Sequence, residues 1–329
     1  MVFRNAFQIL TDNFNKVYKL LLYRLVVLLF TGAIFLAFFI PNVSSFLSEL
    51  AAGPVGESVK QLAATFLRAL LATEDAQGDI SACIVEVGVQ FSAFLSAHSV
   101  SIALLSIATL LVSFAFQFLR GIGDFVVGDM INTRMCSYAE VNFFSSLVKN
   151  LGIACRFLII YVPIVMLFDA LIVLLCYFVF FFLLSFLPGI VALFLSITAI
   201  ICAQAAKFTL TSNFMPAMIE GGMKLPEAVK TSVSLTKQRF GRLYSSYIVY
   251  LYIAVTICVA ALLFTLGSGL LLALPAVSIW LISIRFVNFY TQTGRKYFIT
   301  YDTIVLNADK GETEKFFENN EMYDKTKTR

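Results

Sequence analysis

Long apolar runs separated by short polar, mostly basic linkers dominate the pattern of this chain from Leu21 to Tyr290. A membrane-spanning helix needs about 20 largely apolar residues, because hydrocarbon is about 30 Å thick and each residue rises about 1.5 Å. Six stretches satisfy that requirement. The first, 21–40, carries Arg24 near its start, where the side chain snorkels toward headgroups, and is closed by Pro41. The second, 99–119, is uncharged. The third and fourth, 157–184 and 190–206, are cut from one apolar stretch by a turn at Leu187, Pro188 and Gly189, with Asp169 as their only charge until Lys207. The fifth and sixth, 244–264 and 270–290, are joined by a hairpin of Leu266, Gly267, Ser268 and Gly269.

Three linkers echo one another. Leu10 to Lys16, Leu147 to Gly152 and Leu235 to Arg242 each precede an apolar hairpin, and each has apolar residues at helical spacing upstream: Phe3, Phe7 and Leu10; Phe143, Phe144 and Leu147; Ala228, Val229 and Val233. Such a segment lies in the interface with its Phe and Leu edge in lipid and its Lys toward anionic headgroups. The expected fold is therefore all-α, a six-helix integral membrane protein built from three helical hairpins, each preceded by an amphipathic cytoplasmic helix and an elbow. Residues 1–300 form the membrane domain and 301–329 a mobile cytoplasmic tail, polar and mixed in charge.

The segment 42–97 is read as an outer loop. Within it, Val59 to Ala72 has the pattern of an amphipathic helix, with Leu62, Phe66, Leu67, Leu70 and Leu71 toward the bundle or the interface. Residues 80–97 are apolar enough for a helix, whether re-entrant, interfacial or an extension of span two, but Glu86 and the adjoining His98 make them poor hydrocarbon.

Composition strengthens this picture. Charged residues are 13% of the 329, hydrophobic residues 60%, and mean hydropathy is +0.88. A water-soluble domain has about a quarter charged residues, so lipid must cover much of this surface. The charges also orient the chain. Met1 to Arg24 carries four Lys or Arg against one acid, Arg120 to Arg156 four against three, Lys207 to Arg242 six against two, and Arg285 to Lys296 three against none. All four segments fall on one side of a six-span arrangement, while the opposite segment Asn42 to Ala97 holds two bases and six acids. By the positive-inside rule both termini are cytoplasmic. The first twenty residues are amphipathic rather than a cleavable signal peptide, with no small-residue cleavage pattern after the apolar run.

Few residues suggest chemistry. Gly121, Ile122, Gly123, Asp124 and Phe125 resemble the GxGD signature of intramembrane aspartyl proteases and prepilin peptidases, in which two carboxylates share a proton. Asp169 is the membrane-placed carboxylate available as partner for Asp124, although it follows the motif where those families place the other aspartate before it. The plainer reading is a helix end packed closely through its glycines. Asp169 itself costs a few kcal/mol in lipid and must face protein, water or an ion, as a ligand site or as a structural hydrogen-bond partner. Pro163, six residues earlier, is expected to kink the same helix and open carbonyls to a ligand. His98, the one histidine, has Glu86 as a candidate partner at an outer entrance.

Six scattered Cys and a single His form no metal-binding spacing, so no metal and no cofactor are expected. No phosphate loop is present, so no ATP is expected on this chain. No RNP, helix-turn-helix or finger pattern occurs, so nucleic acid is not an expected partner. Membrane lipids are, together with a protein partner or a second copy of the chain.

The amphipathic start Ala6 to Lys19, the stretch Met215 to Lys237 with Gly221, Gly222 and Ala228, and the paired hairpins resemble bacterial multi-span families similar to the membrane domain found beside some glycerophosphodiesterases. The resemblance runs from Ala6 to Asn288. It implies a bacterial plasma membrane but supplies no catalytic residue, since the phosphodiesterase barrel has no counterpart here. The expected function is non-enzymatic transport, lipid handling or assembly; the alternatives are an aspartyl-protease-like enzyme using Asp124 and Asp169, and a scaffold that binds another membrane protein.

Overall fold

The computed structural model describes residues 2–70, 76–184, 189–221, 223–300, 302–307 and 312–315. Eleven helices follow one another among these residues: α1 (Val2–Asp12), α2 (Asn15–Ala52), α3 (Pro54–Leu70), α4 (Ala76–Ala97), α5 (Ser99–Ser137), α6 (Phe143–Leu184), α7 (Gly189–Thr211), α8 (Phe214–Gly221), α9 (Leu225–Gln238), α10 (Phe240–Phe264) and α11 (Leu270–Thr293). Three strands close the described chain, β1 (Tyr297–Thr300), β2 (Thr303–Asn307) and β3 (Glu312–Lys315). Six helices are long and apolar enough to cross a membrane, so the chain is an all-α protein with multi-pass character. Hydrocarbon cannot hydrogen-bond exposed backbone, and helices satisfy their own.

The chain divides into two compact units, Met1–Val26 with Gln117–Arg329, and Val27–Phe116. In the second unit the expected outer loop is helical. Pro41 does not end the first apolar helix, because α2 continues through it to Ala52. A proline removes one hydrogen bond and crowds the preceding turn, which an otherwise uninterrupted apolar helix in lipid tolerates. The amphipathic segment expected from Val59 is present as α3, which packs against α4. Residues 71–75 lie outside the described residues. Helix α4 is followed after His98 by α5, so the segment before span two is helical.

In the larger unit the helices overrun their apolar runs. Helix α5 has 39 residues, hence about 58 Å of length, nearly twice the hydrocarbon thickness. The expected end near Leu119 is passed because nothing breaks the helix before Tyr138, whose φ of 54° turns the chain. The overrun is the core: Phe125, Val126, Val127, Met130, Ile131 and Met135 are all fully buried. Around it lies the far half of α11, buried from Ile282 to Thr291.

Two of the three expected elbows are present. Between α1 and α2 the Asn13 side chain donates from Nδ2 to the Ile9 carbonyl at 2.6 Å, closing α1, and accepts from the Lys16 ammonium. Helix α1 buries Ala6, Ile9 and Leu10 against α11, and Phe3 and Phe7 meet Trp280 edge-on at 6.3 and 6.2 Å between ring centres. The second elbow separates α9 from α10 at Arg239. The middle elbow, expected at Leu147 to Gly152, is absent: α6 runs without a break from Phe143 to Leu184. A Cβ added at Gly152 would meet no neighbouring side chain or other element within 4 Å, so no packing forces a turn there.

Other expectations meet the structure unevenly. The hairpin at Leu266 to Gly269 is present, with φ of 50° at Leu266 and 90° at Gly267. Leu187 and Pro188 lie outside the described residues. The start of the expected tail is a small antiparallel sheet in the order β1, β2, β3, with Tyr297 opposite Val305 and Phe298 opposite Ile304. Gly294, at φ 65°, closes α11 and turns the chain into it. Ile299, Ile304 and Val305 are buried, and the Tyr297 hydroxyl accepts from Asn5 Nδ2 at 3.0 Å, which ties the sheet to α1. Burial pushes the Tyr297 phenol above its ordinary value. Residues 308–311 and 316–329 lie outside the described residues.

The glycines of the GxGD-like stretch are packing residues. A Cβ on Gly123 would meet Tyr23 ring carbons at 2.5 and 2.6 Å, and one on Gly121 would meet Leu158 Cδ2 at 2.5 Å. Tyr23 is pinned by donation of its hydroxyl to the Leu119 carbonyl at 2.8 Å. Gly123→Ala is therefore expected to destabilise the purified chain by about 1–3 kcal/mol. Gly152→Ala, entering open space in mid-helix, should be neutral or stabilising by about 0.5–1 kcal/mol. Thermal unfolding in one detergent ranks the two; a lower melting temperature for Gly152→Ala than for Gly123→Ala would contradict this packing.

Candidate functional site

Ionisable side chains on the apolar helices of the larger unit are sorted into separate pairs. Asp169 stands on α6, about 22 Å from the Leu184 end of that helix. Its Oδ1 accepts from the Lys207 ammonium on α7 at 2.5 Å, and Gln204 Nε2, one turn earlier on α7, lies at 3.5 Å. The Lys207 side chain is 9% exposed and the Asp169 side chain 36%, so the carboxylate is the open member of the pair. The ammonium also lies 5.3 Å from the centre of the Phe208 ring. Taking two charges out of water is expensive, and their contact offsets that cost only while both are present.

Asp124, on α5, is held by other cations. Arg24 Nη2 reaches its Oδ1 at 2.6 Å and Arg120 Nε approaches Oδ2 at 4.0 Å. Arg24 thus binds a carboxylate in addition to any snorkelling toward headgroups, and its Nη1 reaches the Leu274 carbonyl at 3.4 Å. Asp124 and Asp169 each neutralise their own cation, whereas a proton-sharing pair needs both carboxylates at one point. Pro163 sits inside α6, which continues through it.

In the smaller unit His98 Nε2 lies 3.0 Å from Glu49 Oε2, and its ring stacks on Phe94 at 4.4 Å. Glu49 takes the position expected for Glu86. The reason is axial distance: Glu86 lies twelve residues before His98 along α4, about 18 Å back, while the far end of α2 brings Glu49 alongside.

Sequence reasoning missed three cations. The linear pattern gives Lys207 a part in orientation alone, and Arg24 a part in orientation and snorkelling, but neither an ion pair. A signal for Lys207 existed, since the turn expected at Pro188 puts Asp169 nineteen positions before it and Lys207 nineteen after. The third is Arg285 on α11, 9% exposed, with its Nε unpartnered. Tyr161 and Tyr247 lie beside it, and its Cζ is 5.8 Å from the centre of the Phe208 ring. Among the described residues no carboxylate forms an ion pair with Arg285. Nothing in the linear pattern distinguishes it from an ordinary basic residue at the end of a span.

A polar network continues past these pairs. Ser146 donates to Asp129 at 2.6 Å, Asn132 donates to Glu220 at 2.9 Å and accepts from Tyr290 at 3.0 Å, and Arg295 pairs with Glu220. Arg134 bridges Asp12 and Glu140, each at 2.7 Å. Among the described residues no three His, Cys, Asp or Glu side chains gather as a metal centre.

Compared with known protein-family models, curated proteins and solved structures, the chain matches none. The likeness to the membrane domain beside some glycerophosphodiesterases therefore rests on the residues quoted for it.

The Asp169–Lys207 contact makes a quantitative prediction. Asp169→Asn and Lys207→Met should each lower the melting temperature of the detergent-purified chain, because each leaves an uncompensated charge or donor. The double variant should lose less than the sum, with a coupling of about 1–3 kcal/mol. Strict additivity across the cycle would mean that the contact contributes nothing.

Proposed function

We propose that the chain is a non-enzymatic, multi-pass protein of the bacterial plasma membrane that handles a polar or charged solute or lipid headgroup at the Asp169–Lys207 pair. Both termini lie in the cytoplasm in this reading, supported by the four basic linkers that alternate with apolar hairpins. The observation that carries the reading is the pair itself. An ionisable residue held within apolar helices is expensive, and such residues commonly mark solute or ion pathways. Here the buried member is the cation and the accessible member the carboxylate, so a cationic or hydrogen-bond-donating group has a negative partner to reach. Gln204 adds an amide at the same point.

The aspartyl-protease alternative is less well supported, because Asp124 is already engaged by Arg24 and Arg120. A carboxylate stabilised by two cations is a poor partner for sharing a proton with another.

Two measurements test the proposal. Asp169→Asn should reduce growth or solute flux that depends on the chain by about tenfold or more, while membrane abundance stays unchanged. Normal flux from a normally inserted Asp169→Asn protein would remove the site. For orientation, single cysteines placed between Lys224 and Arg242 of a cysteine-free variant should resist an impermeant thiol reagent in intact cells and react after permeabilisation. Labelling in intact cells would reverse the assigned sides.

A further inference from the structure

Lys207 is the first residue after the apolar run 190–206 of α7, so the Asp169–Lys207 pair stands where hydrocarbon gives way to a basic linker. Lipid headgroups occupy that depth. Asp169 gives both of its contacts to one oxygen: Oδ1 accepts from Lys207 at 2.5 Å and lies 3.5 Å from Gln204 Nε2. Its other oxygen, Oδ2, accepts no hydrogen bond among the described residues. We propose that this open carboxylate oxygen takes the primary ammonium of a phospholipid headgroup, of the phosphatidylethanolamine class, reached sideways from the bilayer. The inference rests on the pair being a binding site and names its ligand.

Three features point to that ligand. The first is accessibility: the Asp169 side chain is 36% exposed and that of Lys207 9%, so the acceptor is reached while its cation is not. The second is the direction of approach. Val173 and Tyr177 lie four and eight residues beyond Asp169, on the same face of α6, and both are exposed. On α7, Ile200, seven residues before Lys207, is exposed as well. These side chains make a largely apolar strip that runs from the carboxylate toward the Leu184 end of α6, which is the course of an acyl chain whose headgroup stands at Asp169.

The third feature is charge. Lys207 already neutralises Asp169, and a bare cation added beside the pair would bring an uncompensated charge next to an ammonium. A zwitterionic headgroup adds no net charge, because its own phosphate balances its ammonium. A primary ammonium carries three N–H donors. Asp169 Oδ2 is free to accept one, and Gln204, whose Nε2 is turned to Asp169, has its Oε1 free for another. Hydrogen bonds from an ammonium to a carboxylate are charge-assisted and strong. The quaternary ammonium of choline has no N–H and makes neither bond.

The test uses the full chain purified in detergent and titrated separately with phosphatidylethanolamine and phosphatidylcholine, reading bound lipid by native mass spectrometry. Phosphatidylethanolamine is expected to bind about tenfold more tightly, the worth of one charge-assisted hydrogen bond. Asp169→Asn should bring the two lipids within about twofold of each other, and Gln204→Leu should narrow the gap about threefold. Glu227→Gln, which removes an exposed carboxylate on α9, should leave the gap as it is. Should Asp169→Asn fail to fold, the double variant Asp169→Asn with Lys207→Met, which leaves no charge alone, reads the same gap. Equal binding of the two lipids by the wild type would overturn the proposal, as would a gap that survives loss of Asp169 or one lost equally in Glu227→Gln. Flux that fails in Asp169→Asn while the wild type shows no headgroup preference would keep the pair as a site and overturn the lipid as its ligand.

Discussion

Hydrocarbon neither hydrogen-bonds a peptide group nor solvates a charge, and this double refusal governs the molecule. The first part makes every long apolar segment a helix. The second makes each ionisable group on those helices find a partner within the protein or stay close to an interface. Asp169 with Lys207, and Asp124 with Arg24, are the results. The large apolar side chains left exposed on the same helices, such as Leu29, Phe178 and Leu263, are what a lipid-facing surface requires.

A second kind of packing begins where the apolar runs end. The half of α5 beyond Gly121 and the half of α11 beyond Ile282 are buried by protein, and there buried polar groups are mostly satisfied. Asp129 accepts from Ser146, Asn132 joins Glu220 to Tyr290, and Asn213 bonds Thr236 and Gln292. Such a network fixes helix positions more sharply than apolar contact alone, since every member has a directional partner. Against that background the unsatisfied atoms stand out. Arg285 Nε on α11 is one of them, buried beside the Tyr161 and Tyr247 side chains.

The glycines show how local freedom becomes tertiary contact. Gly121 and Gly123 lie in a stretch that looks catalytic when read as a motif. In the fold their missing side chains are filled by Leu158 and by the Tyr23 ring, and the adjoining Asp124 serves an ion pair. A short motif specifies which atoms are absent from a helix surface; what occupies that space depends on helices far away in the chain.

The apolar runs by themselves determined the helical class, the six long apolar helices and the alternation of basic linkers, because hydropathy and helix length are local properties that lipid reads directly. They also contained the amphipathic helix before the first span and the Gly267 turn. Helix ends were less legible: Pro41, Leu119 and the Leu147 to Gly152 segment each had the composition of a boundary, yet α2, α5 and α6 continue through them. Whether a helix continues depends on what packs against its next turn, and that partner is remote in sequence. The same reason hid the site. Lys207 opposite Asp169, and Glu49 rather than Glu86 beside His98, are pairings of positions tens of residues apart, which only the packed chain brings within reach of a hydrogen bond.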